Sequence, residues 1–375
     1  MNTEEVSLSK ATIDTGKLLK NIDSFKRIMT KHTKFMAVIK ADAYGHGSVP
    51  LAHKMEAADA IDYFGVAQLS EALELRKNGI ETDILVFNAV RFKDVKSAIL
   101  HKITLTVFTE ELAQEIVTLA EKMKTEVKVH LKIDTGMARL GVTDFEEALK
   151  VYQNLQSSYV NIEGIYTHFA DANELTNTHF TKEQFTHFEK IINQFNEQEI
   201  YFDINHACNT AGTINFPEYH LDMVRVGFGL YGYNPTKNPE KIELAPIQNI
   251  RTTVTNIKVF PADQSVGYDR TYYSKEKMRI ATIAIGYADG VPISLSNNGS
   301  FTFQEKNLPI VGQVCMDQIM LDSSKSQNLK IDDEVFYFGD PAEGFLFLKD
   351  VAQAANTSPY ELLCRIGSRV KRYYK

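Results

Sequence analysis

The sequence has no surplus of positive charge, no paired cysteines and no long apolar run. Its 48 acidic side chains outnumber 41 basic ones, for a net charge of −7. No basic footprint is therefore available for nucleic acid or for an anionic membrane, and a small molecule is the expected partner. Cys208, Cys315 and Cys364 are far apart and lack the spacing of a zinc site or a redox couple, so reduced core thiols are expected at all three. No apolar run approaches the ~20 residues that a membrane-spanning helix needs. The stretch from Met1 to Lys10 is polar and acidic rather than signal-like, and a cytoplasmic protein is expected.

What the chain does have is size and rhythm. At 375 residues and 44% hydrophobic content it exceeds the usual extent of one core, which suggests two domains. In the first 230 residues, eight short apolar and often β-branched runs recur, near Phe35 to Ile39, Tyr63 to Ala67, Ile84 to Phe87, Thr104 to Phe108, Val127 to Ile133, Ile162 to Thr167, Asp203 to Asn205 and Met223 to Val226. Between them, Glu110 to Lys124, Asp144 to Gln156 and Lys182 to Glu197 carry helical spacing, with Thr143 and Thr181 as candidate N-caps. Alternating strands and helices predict an α/β fold, and eight strands suggest closure into a (β/α)8 TIM-like barrel; an open doubly wound sheet is the alternative.

After about Pro239 the texture changes to strands at Arg251 to Val259, Met278 to Gly286, Leu308 to Val314 and Glu334 to Phe338, with helical spacing returning at Leu348 to Ala355. The expected organisation is a barrel over 1–238 and a β-rich C-terminal domain over 239–375, joined through Thr236 to Glu240. About the first 10 residues are candidates for packing with the second domain.

In a barrel of this kind the chemistry collects on the loops after the strands. Lys40 follows the first run, Lys132 and Asp134 close the fifth, His168 the sixth, His206 the seventh, and Arg225 with Gly227 the eighth. Each has a plain explanation taken singly: a satisfied core histidine, a structural ion pair, an exposed strand end. Their convergence on one rim points instead to a site. An amine fixed at a strand end, where its charge is disfavoured, can lose a proton and condense with an aldehyde. A divalent-metal barrel built on Asp134, His168 and His206 is the competing reading, and it leaves Lys40 unexplained.

Ordered motifs narrow the choice. They are Ala37-Val38-Ile39-Lys40-Ala41-Asp42-Ala43-Tyr44-Gly45-His46-Gly47, Lys132-Ile133-Asp134-Thr135-Gly136-Met137-Ala138-Arg139-Leu140-Gly141, Thr167-His168-Phe169-Ala170, His206-Ala207-Cys208-Asn209-Thr210 and Arg225-Val226-Gly227. Ile285-Gly286-Tyr287-Ala288-Asp289-Gly290, Val314-Cys315-Met316-Asp317-Gln318 and Tyr360-Glu361-Leu362 follow. Over nearly its whole length the chain resembles the alanine racemases, a pyridoxal-phosphate family built from an α/β barrel followed by a β domain.

The resemblance implies racemisation of L- and D-alanine, with Lys40 and Tyr268 as the two proton-transferring groups on opposite faces of the substrate carbon, and D-alanine supply for a cell wall as the role. It implies pyridoxal 5'-phosphate as cofactor, joined to Lys40. Tyr44, Tyr360, Thr210 and the amides around Gly227 and Phe228 would hold its phosphate, with His168 and Asn209 also in the cofactor site. Arg225 would face the ring nitrogen; because arginine only donates, that nitrogen must stay an acceptor, which weakens the ring as an electron sink and suppresses transamination.

Arg139 and the Met316 amide would bind the substrate carboxylate, and Lys132, carbamylated in many relatives, would pair with Arg139. His206 and Asp317 would support the site, and Tyr272 and Tyr287 would narrow its entrance. A tyrosine acting as base near neutral pH needs nearby positive charge or strong hydrogen bonds, which His168 and Arg225 could supply. A head-to-tail homodimer with shared sites and no metal completes the set. Asp269-Arg270 and Gln313 depart from the residues usual in the family, and Thr210 stands where serine is common. A serine or broader-specificity racemase, a barrel-type pyridoxal decarboxylase and a non-catalytic pyridoxal-phosphate-binding protein are the alternatives.

Overall fold

The computed structural model describes residues 7–375. The chain begins with β1 (Ser9–Ile13) and then runs through eight strands: β2 (Lys34–Val38), β3 (Tyr63–Val66), β4 (Ile84–Val86), β5 (Thr104–Val107), β6 (Val127–Lys132), β7 (Val160–Tyr166), β8 (Ile204–His206) and β9 (Met223–Val226). Their pairings are parallel throughout, and β2 takes both β3 and β9 as neighbours, giving the order β8-β7-β6-β5-β4-β3-β2-β9. At the seam between β8 and β9, the Asp222 N–H donates to the Asn205 carbonyl at 3.0 Å and the Arg225 N–H to that of Cys208, also at 3.0 Å. The eight apolar runs are therefore the eight staves of a nearly closed barrel, and the open doubly wound alternative falls.

Helices cover the outside of the staves, which is why strands such as β3, β4 and β5 are buried at every position. Helix boundaries follow side-chain caps. The helix Glu110–Met123 starts at Thr109, whose hydroxyl accepts from the Leu112 N–H. Phe145–Asn154 is capped by Asp144 and not by Thr143; the Thr143 hydroxyl bonds the Glu147 carboxylate instead. Thr181 is likewise no cap, because the helix His179–Asn196 has already begun and buries it.

The second architecture is an eight-stranded sheet centred on β10 (Gln248–Phe260), which pairs antiparallel with β1, Met278–Ile283 and Glu334–Phe336. β1 in turn lies parallel to Lys371–Tyr374. These two terminal strands, together with Ser300–Phe303, Ile319–Asp322 and the helix Pro359–Arg365, went unpredicted. Backbone contacts divide the chain into two compact units, one comprising 18–43 and 48–244, the other 44–47 and 245–375 with the described residues up to 17. Of the three thiols, only Cys208 is in a core; Cys315 is half-buried and Cys364 exposed, because the latter two sit on a turn and a short surface helix. Among the described residues no helix is long and apolar enough to cross a membrane.

Candidate active site

Lys40 stands where β2 ends, and the backbone after it is unusual. Ala41, Asp42, Ala43 and Tyr44 have φ of 52°, 52°, 52° and 54°, and Gly45 follows at 78°, so Lys40–Gly45 is a single turn of left-handed helix. Four L-residues wound this way cost roughly 4–8 kcal/mol at ~1–2 kcal/mol each, so the surroundings must impose the shape. Glu71 does much of this: its carboxylate accepts from Ala41 N–H at 2.6 Å and, through its other oxygen, from Ala67 and Gln68 N–H. The Asp42 carboxylate accepts from Ser48 N–H at 2.7 Å, and Ala43 N–H donates back to Ile39 at 2.9 Å.

Across the barrel, Asp134 gathers the loop after β6. Its carboxylate accepts the backbone N–H groups of Gly136, Met137, Ala138 and Arg139 at 2.8–3.1 Å, which fixes where Arg139 leaves the loop. Although burial opposes its charge, these bonds hold the Asp134 carboxyl below its ordinary range. Lys132, the last residue of β6, is buried and donates to the Ile133 carbonyl. Burial, with Arg225 and Arg139 nearby, pushes its amine down to about 7.

Arg225, on β9, is 3% exposed. Its Nη1 donates to His206 Nδ1 at 3.0 Å, and its Nη2 to the carbonyls of Thr167 and Ala207 at 2.8 and 3.0 Å and to His168 Nδ1 at 3.2 Å. Among the described residues it belongs to no ion pair within 4.0 Å. Burial lowers the His168 and His206 imidazoles well below their ordinary value, and positive neighbours add to this: Arg225, Arg139, Lys132 and Lys40 for His168, Arg225 and Lys132 for His206. Both shifts favour the neutral imidazole, so a hydrogen bond rather than positive charge is what His168 has to offer a neighbouring group. Next to Arg225, Asn209 caps the short helix Thr210–Asn215, and the Thr210 hydroxyl accepts from Gly227 N–H at 3.0 Å, just before the turn Phe228–Tyr231. Lys40, Lys132, Arg139, His168, His206, Asn209, Thr210, Arg225, Gly227 and Phe228 all belong to the barrel unit.

The remaining expected residues belong to the other unit. Tyr268, 69% exposed, lies in the turn after Ser265–Val266 and borders an open cavity of about 730 Å³ together with Gly267, Cys315 and Gln318. Asp269 and Gln313, both expected as departures from the residues usual in the family, are bonded to each other: the Gln313 side-chain amide donates to the Asp269 carboxylate at 2.8 Å. Tyr287 N–H donates to Cys315 O and Ala288 N–H to Met316 O, so the 286–289 turn carries the Met316 loop. A Cβ on Gly286 would sit 2.3 Å from both the Cys315 and Met316 carbonyl oxygens, which restricts that position to glycine. Arg369 bridges Asp289 at 3.0 Å and Asp317 at 2.7 Å. Tyr44 and Tyr360 pack with ring centroids 6.4 Å apart, and burial raises both phenols, Tyr360 to about 12. Tyr272, expected at the entrance, is half-buried against Val266, Met278, Ile280 and Val311.

Residues 13–235 match the family described as "Alanine racemase, N-terminal domain", and residues 247–374 match "Alanine racemase, C-terminal domain". The chain belongs to the alanine racemase family. It is 43% identical over 355 residues to alanine racemase 2 of Oceanobacillus iheyensis, covering 94% of this chain and 90% of that one. Among solved structures it is similar to the alanine racemase of Clostridium difficile 630, with a TM-score of 0.95, 33% identity, and coverage of 99% and 96% of the two chains. The alanine racemase of Bartonella henselae, solved with covalently bound pyridoxal phosphate, shares 27% identity with a TM-score of 0.88, over 98% of this chain and all of the other.

Within this racemase fold several residues were invisible to motif reading. Glu71 lies in an ordinary amphipathic helix, and Arg369 near the C-terminus is separated by 52 residues from Asp317. His130 and Glu163 sit inside strands. One signal was present: polar side chains at 128, 130 and 132 interrupt an apolar strand at every second position and so share a face.

Proposed function

We propose that the protein interconverts L- and D-alanine, using pyridoxal 5'-phosphate held at Lys40 and two proton-transferring groups, Lys40 and Tyr268. The observation that carries this reading is Arg225: a buried guanidinium bound to imidazole nitrogens and carbonyls, with no carboxylate partner among the described residues. A donor-only group suits a pyridine nitrogen that accepts. The donor set fits the rest of the cofactor: a primary amine at a strand end, the Thr210 hydroxyl, which accepts from Gly227 N–H and so has its own proton to give, and the backbone around Phe228 at the start of a turn. Tyr44 and Tyr360, kept protonated by burial, are suited to donate to an anionic phosphate.

When bound, the cofactor supplies a conjugated system that acidifies the α-hydrogen of an amino acid joined to it. The chain's own groups do the rest. Lys40 Nζ takes or returns a proton on one face, and the Tyr268 hydroxyl does so on the other. Positive charge in the barrel site comes from Arg225 and Arg139, with His168 held toward its neutral form. Arg139, aimed by the Asp134 loop, and the Met316 amide, steadied through Asp317 and Arg369, hold the substrate carboxylate. Tyr287 narrows the entrance toward a side chain as small as a methyl group.

Lys40 and Tyr268 come from different copies in a head-to-tail homodimer, which accounts for a tyrosine so exposed in one chain. A cytoplasmic enzyme supplying D-alanine for wall synthesis is the role that fits. The metal reading loses its carboxylate, since Asp134 is committed to four amides. A non-catalytic carrier, resembling the barrel alone, does not account for the match over 247–374.

Incubation with L-alanine in deuterium oxide tests the proposal: optical activity should vanish as α-deuterium appears, and retention of configuration with no label would overturn it. Lys132 carries a second expectation. An amine near 7 is about half unprotonated at neutral pH, and its free pair can bond to carbon dioxide, releasing a proton and leaving a carbamate anion beside Arg139. With ¹³C-labelled bicarbonate, a carbamate carbon signal absent from Lys132→Met should appear above pH 7 and fade below it, as protonation withdraws the amine. A bare amine throughout would remove the carbamate.

A further inference from the structure

A line of hydrogen bonds runs inside the barrel from Arg225 to Glu163. Arg225 Nη1 meets His206 Nδ1 at 3.0 Å, His206 Nε2 meets His130 Nδ1 at 2.9 Å, and His130 Nε2 meets Glu163 Oε2 at 3.1 Å. Both imidazoles are 0% exposed, and Gly164 makes room for one: a Cβ there would lie 2.8 Å from His130 Nδ1 and Cε1. Glu163 also accepts from the Tyr63 hydroxyl at 2.8 Å and from Lys128 at 3.1 Å.

The two ends dictate every proton between them. Arginine has only donors, so His206 Nδ1 must be bare and its proton must sit on Nε2. That N–H needs an acceptor, so His130 Nδ1 is bare as well and its proton sits on Nε2, facing the carboxylate. An ionised carboxylate only accepts, which closes the sequence without conflict. Burial lowers both histidines, keeping them neutral. Burial also opposes the Glu163 charge, but bonds from His130, Tyr63 and Lys128 outweigh it and hold the carboxyl at about 2.

We propose that Glu163 and His130 are positioning residues: they set the tautomer of His206 and so keep Arg225 turned as a donor toward the rim. If the terminal acceptor is lost, the His130 Nε2–H has no carboxylate to face and nothing holds the proton on that nitrogen. The His130 proton then moves to Nδ1, His206 must accept through Nε2, and His206 Nδ1–H confronts Arg225 Nη1–H. The consequence for a ring nitrogen rests on the reading of Arg225 given above; the proton order itself does not.

The test is ¹⁵N-histidine NMR of the cofactor-loaded and cofactor-free dimer, which distinguishes bare from protonated ring nitrogens. In the unmodified protein both His130 and His206 should carry their proton on Nε2, with or without cofactor; an Nδ1–H form at either would overturn the proposal, and this needs no variant. Glu163→Met should abolish the Nε2–H pattern of His130, whereas Glu163→Gln, which keeps an accepting oxygen, should restore it. Unchanged histidine signals in a folded Glu163→Met protein would also overturn it. With ¹⁵N-labelled cofactor, the ring-nitrogen signal should shift in Glu163→Met. If the histidines change and that signal does not, the chain of tautomers stands and the assignment of Arg225 to the ring nitrogen fails.

Discussion

Lys40→Met is expected to lower racemisation by at least about 10⁴-fold, because the proposed mechanism asks one amine both to hold the cofactor and to move a proton. Methionine keeps the unbranched stem, so the left-handed turn and its bonds to Glu71 should persist. The covalent absorbance band of the cofactor should disappear while circular dichroism and melting temperature stay close to those of the unmodified chain. Spectra and turnover on the same preparation separate the possibilities: retained turnover would contradict the role, and an unfolded protein would show in the melt. Added small amines, able to enter the space left by the ammonium, are expected to restore part of the rate.

Tyr268→Phe should behave differently, although the rate loss is of similar size, about 10²- to 10⁴-fold. Removing one hydroxyl from a side chain this exposed has little bearing on stability. Cofactor attachment should survive, and α-hydrogen exchange should continue from one enantiomer with retained configuration, through Lys40 alone. Exchange lost equally from both enantiomers would mean that the tyrosine does not serve a single face.

Mixing the two inactive variants probes the shared site directly. If each site takes Lys40 from one chain and Tyr268 from the other, a mixed dimer contains one intact pair. A statistical mixture should then recover up to about a quarter of wild-type activity. No recovery after verified exchange of subunits would place both residues in the same chain or neither in the site.

The barrel was legible because strands such as β3 and β4 are buried at every position and announce themselves as short apolar runs, even at three residues, and because these runs recur with helical segments between them. β1 shows why other strands were not. Ser9–Ile13 alternates buried and half-buried positions, and its partners begin at residues 248 and 371, so nothing local distinguishes it from a polar leader. The candidate site divides in the same way. Lys40, Arg139 and Arg225 lie in motifs whose spacing survives in the sequence. Glu71, Glu163 and Arg369 act across the fold on backbone amides, imidazoles and carboxylates, and only three-dimensional proximity reveals them. The departures at Asp269 and Gln313, puzzling one at a time, become a single hydrogen-bonded pair once folded; changing both together should therefore cost less than the sum of the separate changes.

The turn after Lys40 is wound against the handedness its own residues prefer. Its shape is thus borrowed from a carboxylate some thirty positions downstream, and without Glu71 the relaxed course for Ala41 to Tyr44 is the right-handed basin. Unwinding would swing the start of this segment through a different arc and carry the amine away from the rim. The reach of that amine is consequently tied to a carboxylate on a separate helix, and a lesion on the outer wall of the barrel can silence the centre while leaving every reacting group in the chain.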